Sequence, residues 1–476
     1  MLQVFHNLFT ALHSENVIFC NWKSHHSIEQ HLNGDGDLDI YVPIRFKAQF
    51  EEIATREGFR RAISYQAAHD CIEHYFGLDQ TASKFVHIHV YFKIITGEHA
   101  SKNYDLPLEK YILENLDSSS HLPKINIAGQ HTIFLIRYFL KIGSVYGLFQ
   151  YWRELDKYSN EWDSYNNIFD YDAILELGIS NNALNEMHKI YESSDLLKKL
   201  SLSLKFKRQL KGLRRRSYLH HQIFKIQNLI LRLFNRFIVK KKKILIPGIL
   251  VAICGLDGSG KSSLVSALQT NFSENFSTKV VHLGRPKSTI FTFFFNSLVL
   301  MYSFFKRVKV TQAGMNLVTP SKKISLIYAI RSVLLAYDRK SLSDKAHNLS
   351  RDGYIVICDR YPGLEIGKMD SPRIPEIESR GLLYQFCYNL EQKLYSSIKQ
   401  AKFVFQLSVP LEVAIHRNNL RNKFGKETED ELRERFSVNS EAKFLGENYH
   451  IIDASASFDT VQKEVTDKLW YSKNWS

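Results

Sequence analysis

Apolar positions along the chain fall into two periodicities, and the switch between them predicts a mixed α/β protein. Asn16 to Cys20, Asp37 to Val42 and Lys84 to Phe92 read as short strands. Ile244 to Cys254 and Tyr354 to Cys358 are near-continuous apolar runs, the signature of strands buried on both faces. Gln130 to Leu140, Tyr146 to Leu155 and Ala183 to Tyr191 instead carry helical spacing and predict an appended helical bundle. Leu219, Ile223, Ile226, Ile230, Leu233 and Phe237 recur at alternating steps of four and three, which puts them on one helix face.

The 476 residues are about three domain lengths, so more than one core is expected. Hydrophobic residues make up 44% and charged residues 24%, which excludes wholesale disorder and leaves a folded chain. The net charge of +14 would point to nucleic acid if it were evenly spread. It is local: Leu196 to Lys243 holds 16 Lys and Arg and no Asp or Glu, leaving 47 basic against 49 acidic residues elsewhere. Residues 196–243 therefore read as a basic amphipathic connector. It packs its stripe on a neighbouring domain, or lies on an anionic membrane surface at the inner leaflet. No aromatic-interleaved platform supports nucleic acid. Five widely spaced cysteines fit a reduced compartment, and the start at Met1 lacks a secretory pattern, so a cytoplasmic location is expected.

The strongest chemical signal follows the run ending at Cys254. Gly255-Leu-Asp257-Gly258-Ser259-Gly260-Lys261-Ser262 has the form G-x-x-x-x-G-K-S between a predicted strand and a predicted helix. Its glycines let consecutive backbone amides wrap a polyphosphate, Lys261 meets the β/γ charge, and the Ser262 hydroxyl ligates Mg²⁺. Such a site needs a carboxylate at a neighbouring strand end for the metal, and Asp359 after Tyr354-Ile-Val-Ile-Cys supplies one. ATP and Mg²⁺ are the expected cofactors.

Together with Asp359-Arg360-Tyr361-Pro362, this motif resembles the thymidylate kinase-like P-loop kinases, over roughly Ile244 to Trp470. The resemblance implies a doubly wound parallel sheet, a nucleotide lined by Gly255, Asp257, Gly258, Ser259, Gly260, Lys261, Ser262 and Ser263, and a nucleoside monophosphate acceptor. By the same resemblance Asp257 would face the acceptor's sugar, Asp359 and Arg360 would hold metal and acceptor phosphate, and Arg285 in Val281-His-Leu-Gly-Arg285-Pro286 would grip that phosphate. Loose phosphoryl-transfer transition states need surrounding cations, and this P-loop contains no arginine. Arg417 and Arg421, with Lys423 and Lys426 among Asn and Gly residues, are the lid candidates.

After Pro286 the family continues with a glycine-rich turn, whereas this chain runs Lys287-Ser-Thr-Ile-Phe-Thr-Phe-Phe-Phe, which leaves a sugar or other metabolite open as acceptor. Ser288 through Phe305 carries no charge. A membrane crossing there would part Lys261 from Asp359, so a buried helix, or a subunit-facing one in a homodimer, is the first expectation and an interfacial helix the second.

At the amino terminus, Ser24 followed by Gly34-Asp-Gly-Asp37-Leu-Asp39 resembles the DNA polymerase beta-type nucleotidyltransferase superfamily, from about Asn16 to Ile95. Alternation puts Asp37 and Asp39 on one strand face, where paired aspartates converge on metal. The next strand offers His87 and His89 where the family has a third acid. Imidazoles in place of a carboxylate, a fold without transfer chemistry, or a hydrogen-bonded turn all remain open. The chain thus divides into residues 1–125 (nucleotidyltransferase-like α+β domain), 126–195 (helical appendix), 196–243 (connector) and 244–476 (kinase-like domain). The expected activity is ATP- and Mg²⁺-dependent phosphoryl transfer to a small acceptor. A bifunctional kinase and nucleotidyltransferase, or a nucleotide-controlled regulatory module, are the competing readings.

Overall fold

The computed structural model describes the chain outside residues 65–68, 166–167, 239–242, 285, 288, 290–291, 299–324, 378–380, 420–427, 440, 473–474 and 476, with backbone alone at 145, 146, 150 and 151. The uncharged Ser288–Phe305 stretch lies mostly outside the described residues, as do Arg285, Arg421, Lys423 and Lys426. The chain forms two compact units, Met1–Ile246 and Pro247–Ser476.

In the first unit an eight-stranded sheet runs in the order 243–245, 60–64, 72–79, 84–91, 37–41, 20–21, 124–125, 116–117. Pleat alternation divides its central strands. Leu38, Ile40, Val86, Ile88 and Val90 point to one face, where they pack with Phe5, Leu8, Phe9 and Leu12 of helix Gln3–Ser14 and with Phe50 and Ile53 of helix Lys47–Arg56. Tyr41 and Tyr91 point to the other face and join a second core built on helix Ile127–Ile142.

The stretch read as a connector belongs to this unit. Helix Leu196–Gln209 sends Leu202 and Phe206 into the second core, with Leu210 just beyond it. Glu98 draws two of the stretch's cations inward, with Lys207 at 3.3 Å and Lys225 at 2.5 Å, and Arg214 donates to the Lys207 carbonyl at 3.1 Å. Helix Tyr218–Phe237 buries Asn228 and Asn235, while the apolar stripe from Leu219 to Phe237 is exposed. The expected kinase-domain start at Ile244 also shifts. Lys243–Leu245 pairs antiparallel with Arg60–Ser64, and Ile246 N donates to Arg61 O at 3.1 Å, so the apolar run is two strands parted at Pro247-Gly248.

The second unit has a five-stranded, wholly parallel sheet in the order 278–282, 355–359, 249–255, 401–408, 446–453. Every residue of the central strand Ile249–Gly255 is buried. Its Leu250, Ala252 and Cys254 pack with Ala336 and Ala346 of helix Leu326–Arg351. Helices Lys261–Ser273 and Phe458–Trp470 pack together through Phe272 and Trp470.

Candidate functional site

The central strand ends in a loop that only glycine can trace at its tightest points. Gly255 and Gly258 have φ of 138° and 91°, and a Cβ would stand 2.6 Å from Leu407 O at the first and 2.9 Å from Ala414 O at the second. The loop delivers Gly260 as the cap of helix Lys261–Ser273, whose opening amides have no side-chain cap. An anion is the natural partner of that helix start. Ser262 and Ser263 are exposed in its first turn. The Ser259 hydroxyl is buried, with no hydrogen-bond partner among the described residues.

Lys261 is buried and folds over its own loop, donating to Leu256 O at 2.5 Å with Asp257 Oδ1 at 3.5 Å. Burial pushes its ammonium down to about 8, against the pull of Asp257. Asp257 is the hub of the site. Its Oδ1 accepts from Arg360 Nη2 at 2.5 Å, and its Oδ2 accepts from Arg435 Nη1. Burial opposes ionisation of Asp257, but Lys261, Arg360 and Arg435 outweigh it and hold the carboxyl below its usual range.

Parallel register sets Asp359 beside Ile253 of the central strand and His282 of the outer one. His282 Nδ1 lies 3.3 Å from Asp359 Oδ2, while Asp359 Oδ1 is buried with no hydrogen-bond partner among the described residues. An unmet buried carboxylate oxygen suits a hydrated cation. Arg360 follows at φ 71°, its amide donating to Ile253 O at 3.0 Å, and this turn swings the guanidinium back across the loop. Its Nη1 also contacts Asp370 Oδ2 at 3.4 Å. Asp370 is held in turn by Arg339, fully buried, at 2.8 Å, and Arg339 donates to Leu283 O and Gly284 O at 3.1 and 3.2 Å.

The structure thus brings Asp257, Lys261 and Arg360 together and sets Asp359 on the adjoining strand. It does not bring Arg417 to them. That side chain, expected in the lid, donates instead to Ala454 O at 2.9 Å, because its helix Leu411–Asn419 lies against the turn after strand Gly446–Asp453. Among the described residues, Arg435 from helix Glu429–Asn439 does reach the loop, a cation that sequence reasoning passed over. Asp370 was also missed. In the first unit, Asp37 and Asp39 do share a face, but they engage His87, His89 and Lys23.

A parallel sheet in this order, with a glycine loop capping a helix and a carboxylate on the neighbouring strand, defines a P-loop kinase fold. Residues 253–465 match the family model described as thymidylate kinase, and this unit is a thymidylate kinase-like nucleotide kinase domain. Two curated relatives are named as uncharacterized ATP-binding proteins of Escherichia coli (strain K12). YghR is 25% identical over 225 residues, 46% of this chain and 85% of the relative. YghS is 27% identical over 154 residues, 31% and 63%. Among solved structures, thymidylate kinase from Candida albicans aligns with a TM-score of 0.29 and 21% identity, over 48% of this chain and 94% of that one. Deoxyadenosine kinase from M. mycoides with bound dATP aligns at 0.24 and 15%, over 46% and 99%. Among the described residues, no helix is long and apolar enough to cross a membrane.

Proposed function

We propose that the Pro247–Ser476 unit transfers the γ-phosphoryl group of ATP to a small phosphate-bearing acceptor, a nucleoside monophosphate by family likeness. The observation that carries this reading is the convergence of Lys261, Arg360 and Arg435 on Asp257 at the mouth of the glycine loop. Three cations around one carboxylate leave a surplus of positive charge where a polyphosphate would enter, the arrangement a dispersed phosphoryl-transfer transition state requires. The two relatives named as ATP-binding agree with ATP as donor.

In this reading the loop amides and Lys261 bind the β- and γ-phosphates. Arg360 and Arg435 exchange Asp257 for phosphate oxygens as the site fills, and Asp257 is released toward the acceptor. Ser262 and Asp359 would hold Mg²⁺, whose contribution when bound is charge neutralisation on the phosphates. The unmet Asp359 Oδ1 supports that assignment. The test is ADP formation in the presence of ATP, Mg²⁺ and a panel of nucleoside monophosphates and sugar phosphates. One acceptor should raise turnover well above the ATPase background, and Lys261→Ala should abolish the rise. No acceptor-dependent ADP across the panel would reject the proposal.

A further inference from the structure

The Met1–Ile246 unit carries a cluster that the kinase reading does not use. His74 stands directly opposite His89 across the antiparallel pair of strands Ile72–Asp79 and Lys84–Tyr91, and Phe76 stands opposite His87. Opposed residues share a face, and so do positions two apart on one strand, so the three imidazoles crowd one patch of sheet. Each offers a nitrogen, and the three ligand atoms lie within 4.8 Å of one another. His74 Nδ1 and His87 Nε2 are 3.1 Å apart. Two nitrogens bound to one tetrahedral ion at about 2.0–2.1 Å would be separated by about 3.3 Å.

Behind two of the rings stand carboxylates from the parallel neighbour strand Asp37–Tyr41, in register Asp37 with His87 and Asp39 with His89. Asp37 Oδ1 lies 2.6 Å from His87 Nδ1, and Asp39 Oδ1 lies 3.3 Å from His89 Nδ1. A carboxylate that accepts a hydrogen bond from Nδ1–H fixes the tautomer and leaves Nε2 with the lone pair, which is how ligating histidines are oriented in protein metal sites. Phe76 stacks on His87 at 4.2 Å and 8° and holds that ring's plane. Lys23 Nζ at 3.0 Å already balances Asp39, so Asp39 serves better as a positioning residue than as a ligand. Asp37 is half exposed, with Oδ2 3.7 Å from His89 Nε2, which leaves a solvent-facing fourth position beside it.

We propose that His74, His87 and His89 bind a divalent transition-metal ion of the zinc class, with Asp37 and Asp39 as positioning residues. Three imidazole nitrogens select such an ion over Mg²⁺ or Ca²⁺, which take oxygen donors. Both aspartates then lie behind the ligating rings, where the sequence reading had them hold the metal themselves.

The test uses the full chain, stripped with chelator and titrated with Zn²⁺ against a chromophoric competitor, and separately with Co²⁺ followed by visible absorption. The expected result is one Zn²⁺ per chain, unaffected by millimolar Mg²⁺, and a tetrahedral Co²⁺ spectrum with nitrogen-type rather than thiolate charge-transfer bands. Asp37→Asn should keep the stoichiometry and weaken affinity about 10- to 100-fold, whereas His74→Gln should remove the site with the melting profile of the metal-free protein retained. A purely hydrogen-bonded histidine trio would give no stoichiometric Zn²⁺ binding and no tetrahedral Co²⁺ band in the wild-type chain. That result, or unchanged binding in His74→Gln, overturns the proposal. The wild-type Co²⁺ spectrum decides the matter even where a variant does not fold.

Discussion

Arg360 closes on Asp257 at 2.5 Å from the far side of the glycine loop, although 103 positions separate them in the chain. The contact joins the end of strand Ile355–Asp359 to the glycine loop, and Arg435 meets the other oxygen of the same carboxylate. In the proposed reaction Asp257 holds the place that phosphate oxygens would take.

Arg435 is the cation beyond Arg360 and Lys261 that this geometry singles out. Arg435→Ala should lower kcat by about 10²- to 10³-fold, the usual effect of removing one transition-state donor, with a much smaller change in the Kd for ATP. Arg417→Ala, whose side chain is held at Ala454 O, should leave kcat within a few fold of wild type. Steady-state kinetics and equilibrium binding on both variants check the contrast, and equal losses in the two would refute it.

Lys261 sets a pH dependence whose sign follows from its depressed value. The folded protein releases this proton near pH 8, whereas the unfolded chain holds it to about 10.5. Between those values the unfolded state binds more protons, so this group makes the nucleotide-free protein more stable as pH rises through the window. Nucleotide binding moves the other way because it needs the ammonium: affinity should fall about tenfold between pH 7 and pH 9. Lys261→Met should bind weakly with no such slope.

Asp359 should govern metal demand. Asp359→Asn keeps the shape and removes the charge, so the Mg²⁺ concentration for half-maximal activity should rise by about tenfold or more, while thermal stability changes little. A Mg²⁺ titration of the initial rate, alongside a melting curve, reads both.

Arg339 has no exposed atom and supports Asp370 together with the chain at Leu283 and Gly284. Arg339→Met should cost about 3–5 kcal/mol, because Asp370 is left as a poorly compensated buried carboxylate. The double variant with Asp370→Asn should recover part of the loss, and denaturant unfolding of both decides.

What could be read beforehand was local in the chain. Gly255 to Ser262 declares itself because its chemistry needs consecutive residues, and Asp359 because a buried apolar strand ends on an acid. Arg435 was invisible for the opposite reason: a helix beginning Glu429-Asp430-Glu431 gives no sign that one of its arginines faces a loop 178 positions earlier. His87 and His89 were recognisable as a same-face pair, but His74 joins them only through antiparallel register, which a single strand does not encode. The basic stretch was legible only in part. Charge and stripe were legible there, but not that Glu98 would draw Lys207 and Lys225 against the first unit.

The central claim is that the glycine loop and Lys261 hold a nucleoside triphosphate. Isothermal titration of the purified chain with ATP and Mg²⁺ tests it most directly. Saturable heat at one nucleotide per chain, lost in Lys261→Ala at unchanged fold, is the expected result. No heat with ATP or GTP on folded protein, or equal heat in the variant, would contradict it.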